Sequence, residues 1–232
     1  MAFDPSRFQM FYGPEGRMTL VDRALEAVMR GSISIGLRFP RYAVVASMVK
    51  PTRKLMKPSD KVFIIDDHVG ITGSGYISDL YRLVDHMRLE TQRHRLLYDA
   101  AMDIGSLVDS VSGYFHGYTL YPVRPQGVAV IIAGVDKLGV QLYQVDPSGT
   151  AFYGDAFAVG ANSDKALDII ESEYNPDMKL DEAINFIVSV VERTGNPEPA
   201  IQIGHISIDN PLFTKQSING KTNTSNKTTT KD

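Results

Sequence analysis

A helical pattern that stops at Gly31 and gives way at once to a hairpin pattern constrains this chain most. Between Thr19 and Arg30 the apolar residues Leu20, Val21, Ala24, Leu25 and Val28 fall on one helical face. Thr19, with Asp22 three residues on, reads as a capping-box start, and Gly31 reads as the stop. Ser32 to Phe39 then alternates small or polar residues with apolar ones, and Tyr42 to Ser47 is a short apolar run. Pro40-Arg41 between them makes this a pair of strands around a turn. The fold must therefore carry a helix that runs directly into the first strand of a sheet.

The rest of the chain repeats the theme in larger blocks. Lys50 to Lys61, with Pro51 and Pro58, reads as a connection. Val62 to Ile65 and His68 to Thr72 read as strands joined at Asp66-Asp67, and Gly73-Ser74-Gly75 as a break after them. Helical spacing from Ile77 to about Tyr98 predicts one helix, and Ile104, Leu107, Val108, Val111 and Phe115 predict another, capped by Asp103. Strands follow at Gly127 to Val135, Val140 to Val145 and Phe152 to Val159. Two more helices are predicted, from Ser163 or Asp164 to near Glu173 and from about Lys179 through Val191, before a last strand from Ala200 to Ile208. Strand runs separated by helix pairs argue for α+β layers, and a four-layer αββα sandwich fits them.

Composition narrows the chemistry. The chain has 232 residues, no cysteine and a formal net charge of −3. Thiol catalysis, disulfides and thiolate metal sites are excluded, and nothing favours nucleic acid or an anionic membrane as partner. No apolar run is long enough for a transmembrane helix. Met1-Ala2-Phe3-Asp4-Pro5 lacks a basic segment ahead of an apolar one, so no signal peptide is expected and the cytoplasm is the default. Asn219 to Asp232 has almost nothing to bury and reads as a disordered polar tail.

Specific stretches resemble proteasome subunits of the α type. They are Pro14-Glu15-Gly16-Arg17, then Ala24, Glu26-Ala27-Val28 and Gly31-Ser32. Val69 to Gly75 follows, with Asp79, Leu83-Val84-Asp85 and Arg88. Arg124-Pro125-Gln126-Gly127-Val128 and Asp146-Pro147-Ser148-Gly149 complete the series, and the similarity runs from about Pro14 to Ile208. The resemblance implies an αββα sandwich of the amino-terminal nucleophile hydrolase type, spanning residues 18–218 behind an N-terminal gate segment, 1–17. It implies a seven-membered α ring against β subunits that hold the peptidase sites of a threonine protease. It further implies a gate for unfolded protein substrates, docking of C-terminal tails from ATPase or other activators, and no cofactor.

The resemblance also assigns residues. Ser32 stands where active β subunits expose their nucleophile, but that chemistry needs a free α-amine and hence a cut before Ser32. A helix useful intact precedes it, and Ser47 replaces the acidic partner expected in the second strand. Self-processing through Ser32 and Lys61 is thus the alternative reading; a divergent α paralogue acting in ring assembly is another. Lys61, Gly31 and Met18 match an activator pocket shared by neighbouring α subunits, where the lysine meets a tail carboxylate. In the gate, Phe3-Asp4-Pro5 or Pro5-Ser6-Arg7 stands where a tyrosine-aspartate-arginine motif is usual. Pro14 keeps the turn that activators push, and Arg23 replaces the tyrosine that helps hold the gate open.

Three weaker patterns remain. His86, Glu90 and His94 share one helix face and could meet a metal, although one helix seldom completes a site, so no metal is expected. Gly73-Ser74-Gly75 could cradle phosphate, but it lacks the spacing and lysine of a P-loop, and close packing explains it better. Tyr114, Phe115, Tyr118 and Tyr121 read as core and interface aromatics.

Overall fold

The computed structural model describes residues 16, 18–49, 55–120, 124–194 and 200–218. Helix α1 (Thr19–Arg30) leads into β1 (Ser34–Arg38) and β2 (Tyr42–Val49), then β3 (Val62–Asp66) and β4 (Val69–Gly75). Helices α2 (Ile77–Tyr98) and α3 (Ile104–Leu120) follow, then β5 (Val128–Asp136), β6 (Gly139–Val145), β7 (Ala151–Tyr153) and β8 (Ala156–Val159). Helices α4 (Ser163–Glu173) and α5 (Leu180–Thr194) precede β9 (Ala200–Ser207) and β10 (Thr214–Ile218).

Two five-stranded sheets form, in the orders β10-β9-β2-β1-β8 and β3-β4-β5-β6-β7, and all their pairings are antiparallel. Three apolar clusters bind four layers. Ala43, Val45, Ala129, Ile131, Leu142 and Ile206 fill the space between the sheets. Ile35, Val44 and Ile203 on the outer face of the first sheet meet Ile170, Ile187 and Val190 of α4 and α5. Ile71, Val130 and Ile132 on the outer face of the second meet Leu83, Met87, Leu107 and Phe115 of α2 and α3. Both faces of each sheet are thus covered, which is why β2 is buried along its whole length and does not alternate. This is the α+β sandwich that the strand and helix blocks imply.

Gly31 ends α1 as read, with φ −71° and ψ 156°. Local chemistry differs from the sequence reading at three places. Met18, not Thr19, occupies the N-cap of α1, and no side chain caps it; Thr19 is already helical, so the capping box does not form. Asp103 gives its carboxylate to Lys137 at 3.1 Å, and Asp136 of β5 instead accepts the Ile104 amide at the start of α3, at 3.0 Å. Gly73-Ser74-Gly75 does not break the strand: it is the end of β4, with Ser74 opposite Ala129 and Gly75 opposite Val128.

Strand β10 has no counterpart in the sequence reading. Its residues are polar apart from Ile218, and it pairs with β9 from His205 to Ile201. Phe213 holds its start, with the ring buried against Gly70 and Gly204, where any side chain would collide with it.

Candidate functional site

The junction that opens the sequence argument is also where polar groups converge. Val21, Ala24 and Val28 are the buried residues of α1, and Val28 belongs to the cluster between the sheets. The Val28 carbonyl accepts bonds from the Ser74 hydroxyl at 3.1 Å and the Gly31 amide at 2.9 Å. A Cβ on Gly31 would overlap Ser74 Oγ and come within 2.5 Å of the Gly75 nitrogen. Glycine is needed at 31 for this close approach of α1 to β4. At Gly75 the need is conformational, since φ is +126° and the backbone lies against Gly127.

Below the junction Lys61 is inserted between the sheets, with only 8% of its surface exposed. Its ammonium Nζ donates to Ser32 O at 2.7 Å, Ser32 Oγ at 3.0 Å and Ser34 Oγ at 3.2 Å. All three acceptors are neutral. Ser32 Oγ itself donates to Met48 O at 2.7 Å. Ser34 and Ser47 face each other across the β1–β2 register, with hydroxyls 2.7 Å apart, and Ser34 Oγ donates to Gly73 O at 2.7 Å. Ser47 reaches the lysine only through Ser34, and its hydroxyl also donates to Ile33 O at 3.2 Å. Burial alone pushes the Lys61 amine down to about 7, because desolvation penalises the charged form and no acid compensates.

Lys61 is held by its backbone as well. Gln202 on β9 accepts the Lys61 and Val62 amides through Oε1, at 2.8 and 3.2 Å, and its Nε2 donates to Asp60. Asp60 pairs with Lys215 Nζ at 3.0 Å. Beside the amine lies a cavity of about 190 Å³ lined by Ser32, Val49, Ser59, Lys61, Gly75 and Ile77. It offers one buried cation, serine hydroxyls and two aliphatic walls. That arrangement suits a small anionic group carried on an apolar stem.

Residues 28–204 match the family described as Proteasome subunit. The chain belongs to the proteasome subunit family. Similar curated proteins are named as α subunits. It is 36% identical over 190 residues to proteasome subunit alpha of Methanopyrus kandleri, covering 81% of this chain and 77% of that protein. It is 32% identical over 212 residues to proteasome subunit alpha 1 of Haloferax volcanii, covering 89% and 84%. With proteasome subunit alpha of Thermococcus gammatolerans it shares 35% identity over 225 residues, covering 93% and 86%. These relatives support the α type for this proteasome subunit.

The remaining sequence-selected residues are dispersed. Met18 is half-buried at the N-terminus of α1, the opposite end from Gly31 and Ser32, and Arg23 is exposed on the same helix. Phe3, Asp4, Pro5, Arg7 and Pro14 lie outside the described residues, as do Tyr121 and the 219–232 tail. His86 stacks on Tyr114 with centroids 4.5 Å apart, and His94 Nδ1 lies 3.1 Å from Ala100 O. Among the described residues no group of His, Asp and Glu is arranged to hold a metal ion. No described helix is long and apolar enough to cross a membrane.

Two features escaped the sequence reading. Ser34 completes the lysine's shell, and its signal was the repeated hydroxyl at Ser32 and Ser34 facing Ser47 on the next strand. Asp79 joins two of the stretches that carry the resemblance. It is buried at the start of α2, paired with Arg124 Nη1 and Nη2 at 2.5 and 2.6 Å, and accepts the Gly127 amide at 2.8 Å. Burial raises its carboxyl, but the Arg124 and Gly127 bonds outweigh burial and hold it below its ordinary value.

Proposed function

We propose that this chain is a non-catalytic subunit of the outer, seven-membered α ring of an archaeal-type proteasome core particle. In this role it assembles with other α subunits and with β subunits, restricts the passage of unfolded substrate through its N-terminal segment, and docks activator tails. The observation that carries the reading is the integration of α1 into the fold. Its buried face reaches the cluster between the sheets, and its last turn is bonded to Ser74. Removing the helix to free a Ser32 amine would expose Val21 and Val28, each contributing about 1.5 kcal/mol or more. The hydroxyl at Ser47 also leaves Lys61 without the acidic partner that self-processing chemistry would use.

The docking part rests on the Lys61 cavity. A C-terminal carboxylate fits its single cation, and Val49 and Ile77 flank the stem that would follow. Met18 and Gly31 are separated by the length of α1, roughly 18 Å. A pocket that uses Met18 beside Lys61 therefore draws them from two neighbouring copies, which makes docking a property of the ring. Arg23 and the altered Phe3-Asp4-Pro5 segment replace tyrosine hydroxyls in the gate, so docking and full opening are separable here.

Co-expression with an archaeal β subunit tests the proposal. Particles in which outer α rings flank inner β rings should form, hydrolyse a small peptide, and respond to an activator. Lys61→Ala should leave the particle intact and weaken activator docking roughly ten- to a hundredfold, the cost of losing a charge-assisted contact. Unchanged activator binding in that variant would remove Lys61 from the docking site.

A further inference from the structure

Among the described residues, no charge on the cavity wall is neutralised. Among the described residues lining it, Lys61 is the only ionisable group. Its amine donates to Ser32 and Ser34, whose hydroxyls bond onward to the Met48 carbonyl and Ser47 on β2 and to the Gly73 carbonyl on β4, and Gly75 lines the same cavity. The nearest parts of α2 and β9 contribute Ile77 and Gln202. The carboxylates in the surrounding segments are already committed: Asp60 to Lys215 and Gln202, Asp79 to Arg124 and Gly127. Neither forms an ion pair with Lys61. Arg30 at the end of α1 is an exposed cation, and Lys215 on β10 is a half-buried one paired with Asp60. An amine so placed has only neutral acceptors to stabilise its charge, while the cavity beside it is open to a ligand.

We infer that a tail carboxylate enters this cavity together with a proton taken up by Lys61, so that docking weakens as the pH rises above neutral. The inference rests on the docking role proposed above. The carboxylate becomes the counter-ion that the fold itself does not provide. It is ionised throughout the neutral range, so the only protonation change at the contact is at Lys61, whose amine takes a proton from solvent as the complex forms. Burial holds that amine near 7 before the ligand arrives, and an adjacent carboxylate raises it. Below neutral pH the site is charged in advance and affinity is flat. Above it each pH unit weakens binding about tenfold, until deprotonation of the complex ends the trend.

The experiment uses the assembled α ring and an N-acetylated octapeptide from the C-terminus of an archaeal activator ATPase, as free acid and as amide. Calorimetry at pH 6, 8 and 9, in two buffers of different ionisation enthalpy, reads affinity and proton uptake together. The expected result is binding of the free acid that is about tenfold weaker at pH 8 than at pH 6 and about a hundredfold weaker at pH 9. Proton uptake should approach one per peptide at pH 8, and the amide should bind poorly throughout. Lys61→Arg, which stays charged, should abolish the pH slope; the proton count on the unaltered ring carries the test if that variant does not assemble. Free-acid binding that is equal at all three pH values and releases or takes up no proton overturns the proton coupling and leaves docking intact. A free acid that binds no better than the amide at pH 6 overturns docking itself, and the coupling with it.

Discussion

A buried amine with no acid beside it opposes folding wherever it is charged, and Lys61 is such a group. Its folded value is lowered to about 7, so between that pH and the ordinary lysine range the unfolded chain binds more protons than the folded one. Stability must then rise with pH across that window. Compared with Lys61→Met, the native protein should gain up to about 1.4 kcal/mol per pH unit above neutral, read from denaturant midpoints at pH 7 to 10. A parallel pair of pH curves would show that the amine is solvated. Lys61 and Ser47 were visible as positions only through the resemblance to proteasome subunits, since Lys61 closes a polar connection and Ser47 is one hydroxyl in an apolar run. The sequence could not reveal that Lys61 faces three neutral oxygens, since that depends on the register pairing Ser34 with Ser47 and on the approach of β1 to Gly73 of the second sheet.

At the scale of helices and strands, most of the fold was legible. Each block had enough apolar residues at the right period to declare itself, and the bounds of α1, α2 and α4 follow directly from the pattern. Asp103 and Gly73-Ser74-Gly75 were misread because a neighbour distant in sequence, Asp136 or β5, overrides the local chemistry. Thr19 looks like a cap but is helical, so Thr19→Ala should change stability by less than about 0.5 kcal/mol, against about 1 kcal/mol for a true cap. Gly31 is the stop of α1, as read, and is also a point of close contact with β4. Gly31→Ala should destabilise by about 1–3 kcal/mol through the overlap with Ser74 and Gly75, seen as a lowered Tm. Asp79 was visible only as one residue of a resembling stretch, because its partner Arg124 is far along the chain. Its carboxyl is depressed in the folded state, so its contribution is present above the ordinary carboxylate range and fades as pH falls through the folded value. Asp79→Asn should cost about 1.5–3 kcal/mol at pH 7, and the gap from the native protein should narrow on acidification. β10 stayed hidden because its polar residues carry no period; what places it is Phe213 settling over Gly70 and Gly204.

For the whole molecule, the four layers bury both faces of each sheet and leave helix surfaces and strand edges for other subunits. The family was legible from motif order and spacing, and the family match together with the α-type relatives agrees with that reading. The proposed gate was legible only as substitutions, since its effect would depend on a ring rather than on one chain. In particles sharing the same active β subunit, deleting Met1 to Gln9 should raise hydrolysis of both a small peptide and an unfolded protein. Equal rates with and without the segment would mean that it does not obstruct the pore. The account as a whole holds that α1 is a permanent part of the fold and that Ser32 is never freed. Its most direct test is the intact mass of this chain recovered from assembled, hydrolytically active particles. The expected mass retains α1 and everything up to Ser32; a chain beginning at Ser32, in particles whose hydrolysis is lost with Ser32→Ala, would contradict the account.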